Sequence, residues 1–279
     1  MRPALFVVAL LLMSGFTAVG QKKQNEAAKT AYRLVENILY RDSLKEHPDD
    51  YALKNCRLDL YYPLDTKAFA TVVWFHGGGL TGGNKEIPEI LKKQGFAVVG
   101  VEYRKNPEVK CPVYIEDAAA ALAWIFRNIG LYGGDTAKIY LSGHSAGGYL
   151  DLMLGMDKRW MAKFGIDAGR IAGLLPLSPQ VITHFKIRDE RGIKDTEVVV
   201  DEFAPIHYIA QDLPPMVIIT GDRDLELLGR YEENAYFFRM MKLVGNTKTK
   251  LFELDGLSHG EMKNPGLYLM LKELEKMLE

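Results

Sequence analysis

A serine in a glycine-rich turn, a histidine near the C-terminus and carboxylates between them are the residues of this 279-residue chain best placed for nucleophilic chemistry. Ser145 lies in Gly143-His144-Ser145-Ala146-Gly147-Gly148, after the apolar run Ile139-Tyr140-Leu141 and before a helical stretch. A nucleophile in a strand-to-helix turn needs small neighbours, so that backbone segments can approach and leave the hydroxyl exposed. A serine becomes nucleophilic when a base takes its proton, and the base needs an acid to orient it. His259 follows the run Leu251 to Leu254 and supplies the base; His47, His144, His184 and His207 have no such position. The acid is expected in Gly221-Asp222-Arg223-Asp224-Leu225-Glu226, after Met216 to Thr220. Asp224 is favoured; Asp222, beside the glycine, reads as a turn residue, and Glu226 ranks third.

Acyl chemistry also needs donors for a developing oxyanion. His76-Gly77-Gly78-Gly79 follows the run Ala70 to Phe75, and glycines let backbone N–H groups turn inward without side-chain obstruction. The oxyanion hole is assigned to the N–H groups of Gly77, Gly78 and Ala146, with the positive end of the helix starting at Ala146 aimed at the same spot. His76 is read as a structural residue holding this loop.

These loops need a scaffold. Strands are expected at Arg57 to Tyr62, Ala70 to Phe75, Phe96 to Val101, Ile139 to Leu141, Ile171 to Leu177, Met216 to Thr220 and Leu251 to Leu254. Helices are expected at Ala27 to Tyr40, Tyr114 to Phe126, Ala146 to Leu154, Gly229 to Val244 and Leu267 to Leu278. Alternation of the two means a mostly parallel sheet, with working residues at the strands' carboxyl ends. Residues 178–212 lack periodicity and are expected to form a small cap, with Phe185 and Val198 to Val200 contacting substrate.

Lysine plus arginine (35) nearly balance aspartate plus glutamate (36), which argues against nucleic acid or an anionic membrane as partner. A small or neutral molecule is expected instead. Arg2, the apolar stretch Ala4 to Met13 and the small residues Ala18-Val19-Gly20 read as a signal peptide over 1–20, leaving 21–279 as one domain, secreted or periplasmic. The apolar stretch falls short of the ~20 residues that span a bilayer. Cys56 and Cys111 could form one disulfide in an oxidising compartment or stay buried thiols. The chain has no HExxH, CxxC pair or calcium-loop pattern, so neither metal nor cofactor is expected.

From about Asp59 to His259 the chain resembles the hormone-sensitive-lipase-like branch of the α/β-hydrolase esterases, with the related secreted carbohydrate esterases and kynurenine formamidases. The resemblance rests on HGGG with Leu80-Thr81-Gly82, Tyr103-Arg104, Pro107-Glu108, Pro112, Asp117, GHSAGG, Pro214-Pro215, the GxxD ending at Asp224 and the last histidine. It implies the α/β-hydrolase fold, Ser145 as nucleophile, Asp224 as acid, His259 as base, and Gly77, Gly78 and Ala146 as oxyanion donors. Leu80 stands where the family usually has an aromatic residue, and His144 where lipase-like members have aspartate. GHSAGG therefore suits carbohydrate esterases and formamidases better, which makes acetyl or feruloyl esters on plant polysaccharide the expected substrates. Formamidases usually work in the cytoplasm, against the export signal; prolyl-oligopeptidase-like peptidases carry a gating domain for which there is no room. A binding module that had lost catalysis would typically lack triad members.

Overall fold

The computed structural model describes residues 30–279; the expected signal peptide lies outside them. Eight strands form one sheet in the order β1 (Tyr32–Leu39), β2 (Arg57–Pro63), β4 (Ala97–Val101), β3 (Phe69–Phe75), β5 (Gly134–Gly143), β6 (Gly173–Leu174), β7 (Met216–Gly221) and β8 (Thr249–Leu254). β1 and β2, and β2 and β4, run antiparallel; every other neighbouring pair is parallel. Two short helices, α1 (Ser43–Glu46) and α2 (Asp50–Asn55), join β1 to β2. The main crossovers are α3 (Val113–Asn128), α4 (Ala146–Met156) with α5 (Lys158–Ala162), and α7 (Arg230–Leu243); α6 (Phe185–Glu190) lies before β7 and α8 (Lys263–Leu278) ends the chain.

Side chains alternate across a strand, so β3 feeds two cores. Val73 and Phe75 join the cluster containing Tyr114, Ile115, Tyr149 and Leu150 from α3 and α4; Val72 and Trp74 join the one containing Leu267, Met270 and Leu274 from α8. Phe237 and Met241 of α7 are buried in the first cluster, as core residues should be. The pair Arg104–Asp117 is an internal clamp: Nε and Nη2 of Arg104 donate to the two carboxylate oxygens at 2.8 Å each, and Arg41 meets the same carboxylate at 2.6 Å.

Two expected elements come out differently. The helix expected over Ala27 to Tyr40 is, in its described part, strand β1. Val35 faces Leu60 and Ile38 faces Leu58, so three steps on β1 match two on β2. The extra residue belongs to a bulge in which Asn37 adopts φ +59° and donates its N–H to Asp59 at 2.8 Å. The bulge puts residues three apart on one face, which imitates helical spacing. In the expected strand Ile171 to Leu177, only Gly173–Leu174 pair as a regular strand; Pro176 has no N–H for the ladder, and Leu177 rejoins through bridges to His144 and Ile219.

Cys56 and Cys111 are both free thiols, Cys56 fully buried and Cys111 partly so.

Candidate active site

Ser145 sits between the end of β5 and the start of α4 with φ +57° and ψ −114°, a backbone conformation that side chains rarely tolerate. Its neighbours explain how the turn closes. A first side-chain carbon on Gly147 would lie 1.9 Å from the carbonyl oxygen of Phe75, and one on Gly143 would lie 2.6 Å from it. The N–H of Ser145 donates to the carbonyl of Leu177 at 2.8 Å, which pins the turn to the next segment of the sheet.

The serine hydroxyl lies 2.9 Å from Nε2 of His259. Nδ1 of His259 lies 2.7 Å from Oε2 of Glu226, whose side chain is 1% exposed. This corrects the expected acid. Asp224 is exposed, its own N–H donates to Asp222 at 2.8 Å, and no contact joins its carboxylate to His259 among the described residues. Asp222 accepts that N–H and the N–H of Gly256 at 2.7 Å, holding together the two loops that carry Glu226 and His259. The turn so formed leaves Asp224 outside and brings the longer Glu226 inward.

Burial alone would raise the Glu226 pKa, but hydrogen bonding and charge from His259, with further bonds from Ser178 and the Gly221 N–H, hold it down at about 2. The carboxylate is thus an anion throughout the neutral range. Ser178 is a participant that sequence reasoning missed. Its hydroxyl lies 2.9 Å from Nδ1 of His259, and its backbone stands at φ +45°. Its position directly after the run Ile171 to Leu177, like that of each other site residue after its strand, was the available signal.

His144 stands behind the base. Its Nε2 lies 2.9 Å from the carbonyl of His259 and its ring 4.8 Å from the His259 ring. Burial, then the neighbouring His259, lowers its pKa to about 4, so the neutral ring donates Nε2–H to that carbonyl. It steadies the histidine loop without competing for the proton of Ser145.

The glycine loop lies against the same turn. A first side-chain carbon on Gly77 would be 3.0 Å from the His144 carbonyl oxygen and 3.5 Å from Ser145 Cβ, so this backbone passes directly over the nucleophile. Gly78 has φ +119°, and a carbon there would be 2.3 Å from the carbonyl oxygen of Gly82. The N–H groups of Gly77 and Gly78 meet no acceptor among the described residues, and Ala146, first in α4, has no intrahelical acceptor for its own. His76 is buried beneath: Nδ1 lies 2.6 Å from the Gly77 carbonyl, Nε2 lies 3.0 Å from Glu102, and the ring stacks on Tyr103 at 4.5 Å. Both nitrogens are occupied in holding the loop.

Residues 178–212 are anchored at their start and again around Ala204 and Pro205, and exposed between. Val181, Thr183, His184, Ile187 and Arg188 are buried, whereas Val198 is 72% exposed. Phe185 reaches the glycine loop: its ring edge would lie 3.0 Å from a side-chain carbon on Gly79. Among the described residues, no group of three histidine, cysteine or acidic side chains could hold a metal, and no helix is long and apolar enough to cross a membrane.

An eight-stranded, mostly parallel sheet with a Ser–His–carboxylate line at its carboxyl edge defines an α/β-hydrolase. Comparison with known proteins agrees. Residues 58–169 match the family model described as BD-FAE. A truncated form of a carbohydrate esterase from gut microbiota superposes with a TM-score of 0.71 at 20% identity, over 90% of this chain and 98% of that one. Thermogutta terrifontis esterase 2, phosphoramylated by tabun, superposes with a TM-score of 0.65 at 25% identity, over 80% of this chain and 89% of its own. Esterase LipC of Mycobacterium tuberculosis is 26% identical over 220 residues, 71% of this chain; the match spans only 54% of LipC.

Proposed function

We propose that this chain is a serine carboxylesterase that cleaves ester bonds through an acyl-enzyme, with acetyl or feruloyl esters on plant polysaccharide as its substrates. The observation that carries the reading is the line from Ser145 Oγ to His259 Nε2 at 2.9 Å and from His259 Nδ1 to Glu226 at 2.7 Å. His259 takes the hydroxyl proton as Ser145 attacks the acyl carbonyl, and returns it to the departing alkoxide. Water then attacks the acyl-enzyme, with His259 again as base. Glu226 keeps Nδ1 protonated and stabilises the imidazolium; Ser178 and His144 fix the ring. The oxyanion formed in both halves is met by the N–H groups of Gly77, Gly78 and Ala146; loss of one such donor raises the barrier by about 2.7–4 kcal/mol.

The substrate class draws support from the likeness to the gut carbohydrate esterase, from His144 before the nucleophile and from the N-terminal twenty residues, read as an export signal. The tabun adduct of the Thermogutta enzyme supports a serine reactive toward organophosphates. Reaction with a fluorophosphonate and turnover of a panel of acetylated xylan, methyl ferulate, nitrophenyl esters of graded chain length and N-formylkynurenine test the proposal. Labelling of Ser145 with turnover of the first two is expected. Preference for long-chain esters or for N-formylkynurenine would overturn the substrate class, and absence of both labelling and turnover would overturn the esterase.

A further inference from the structure

Two cavities of about 280 Å³ and 390 Å³ share Arg188, Asp195 and Leu228 in their walls. Three more residues of the smaller cavity tie it to the site. Phe185 packs on Gly79 of the glycine loop, the N–H of Leu227 donates to the Glu226 carboxylate at 3.1 Å, and Arg230 donates to the carbonyl of Ser178. The cavity is thus joined to the site through Gly79, Glu226 and Ser178, the last two of which contact His259.

Arg188 is the unusual member. It is 2% exposed, yet among the described residues no carboxylate pairs with it. Nη1 donates to the main-chain carbonyls of Asp195, at 2.8 Å, Glu197 and, more weakly, Lys194 at 3.5 Å, while Nε is buried with no partner. Arg230, by contrast, meets Glu233 at 3.2 Å. The acidic residue on the wall of the smaller cavity, Asp195, is exposed; of the two further acids lining the larger one, Glu232 is exposed and Glu233 is taken up by Arg230 and the N–H groups of Val181 and Ile182. A buried guanidinium left with unused donors is costly unless something else answers it, and its fork matches a carboxylate better than any neutral group.

We propose that this cavity binds a carboxylate carried by the ester substrate, and that Arg188 determines this specificity. The inference rests on reading Ser145 as an esterase nucleophile. The carboxylate can come from either side of the ester bond: from a dicarboxylic acyl group, or from a uronic acid bearing the acyl group in a polysaccharide.

Two matched pairs separate these sources. The acyl arm compares 4-nitrophenyl hydrogen succinate with 4-nitrophenyl butyrate; the alcohol arm compares acetylated methyl glucuronoside with acetylated methyl glucoside. Wild-type kcat/KM should favour the charged member of at least one pair by about tenfold. Arg188→Met should bring that ratio to one or below, and Asp195→Asn, which removes the opposing charge, should raise it. The ratio is the readout, so a general loss from a loosened 178–212 segment cancels; if Arg188→Met does not fold, Asp195→Asn carries the test alone. Equal turnover within both pairs, or a ratio unmoved by either variant, would overturn the assignment while leaving the esterase intact. No turnover of any of the four esters, with Ser145 unlabelled, would instead strike the esterase reading.

Discussion

Glu226 and Asp224 lie two residues apart on one loop, yet only Glu226 reaches His259, at 2.7 Å, while Asp224 faces solvent. Substitution separates them. Glu226→Ala leaves the imidazole without its orienting anion and should lower kcat by roughly 10⁴-fold, the usual loss for this position of a triad. Asp224→Ala should stay within about twofold, as exposed substitutions do. Steady-state kinetics on 4-nitrophenyl acetate decides; the reverse ranking would return the acid role to Asp224.

The difference between these two residues marks how far the sequence could be read. Ser145, His259 and the glycine loop were legible because each follows a strand run and carries a local requirement: a strained turn, a loop without side chains, a position at a sheet edge. The choice of acid was not local. It depends on Asp222 gathering the N–H groups of Asp224 and Gly256, a contact across 34 residues that turns Asp224 outward. β1 shows a related limit, since the bulge at Asn37 gives a strand the apolar spacing of a helix. Ser178 follows an expected strand run, but only the fold brings its hydroxyl to His259, 81 residues away.

The nucleophile turn should show measurable strain. At φ +57° and ψ −114°, glycine is at ease where alanine is not, so Ser145→Gly should be more stable than Ser145→Ala by about 1–2 kcal/mol. That corresponds to roughly 2–6 °C in Tm for a domain of this size. Both variants lose the hydroxyl, so catalysis does not enter the comparison. Calorimetry giving equal midpoints would mean that the turn relaxes in the alanine variant.

Acid should unfold this protein through Glu102 as well as through the site. Glu102 is buried, and burial alone would raise its pKa; hydrogen bonding and charge from His76, then Lys105, hold it at about 2. A carboxyl whose pKa is lower folded than unfolded favours the folded state at pH values above its unfolded pKa of about 4.3. That contribution fades as pH falls toward 2. Glu102→Gln should therefore flatten the loss of stability between about pH 5 and pH 2 in denaturant titrations, and should loosen His76 beneath the glycine loop. A variant with the wild-type slope would show that the charge of Glu102 is not what holds the loop.

The two cysteines should be slow to react in the folded protein. Burial, joined for Cys56 by the charge of Asp117, pushes both thiols up to about 12, far above the ~8.5 of a free cysteine. The thiolate is the reactive form, so at pH 8 only about one thiol in 10⁴ is available even before access is considered. Iodoacetamide should leave the native protein largely unmodified over an hour and alkylate both sites once denaturant is added, with mass spectrometry counting the adducts. Cys111, the more exposed, should react first as denaturant rises. A mass two hydrogens short, with no alkylation after unfolding until a reductant is added, would show that Cys56 and Cys111 are joined in an oxidising environment and that the free thiols belong to the reduced form.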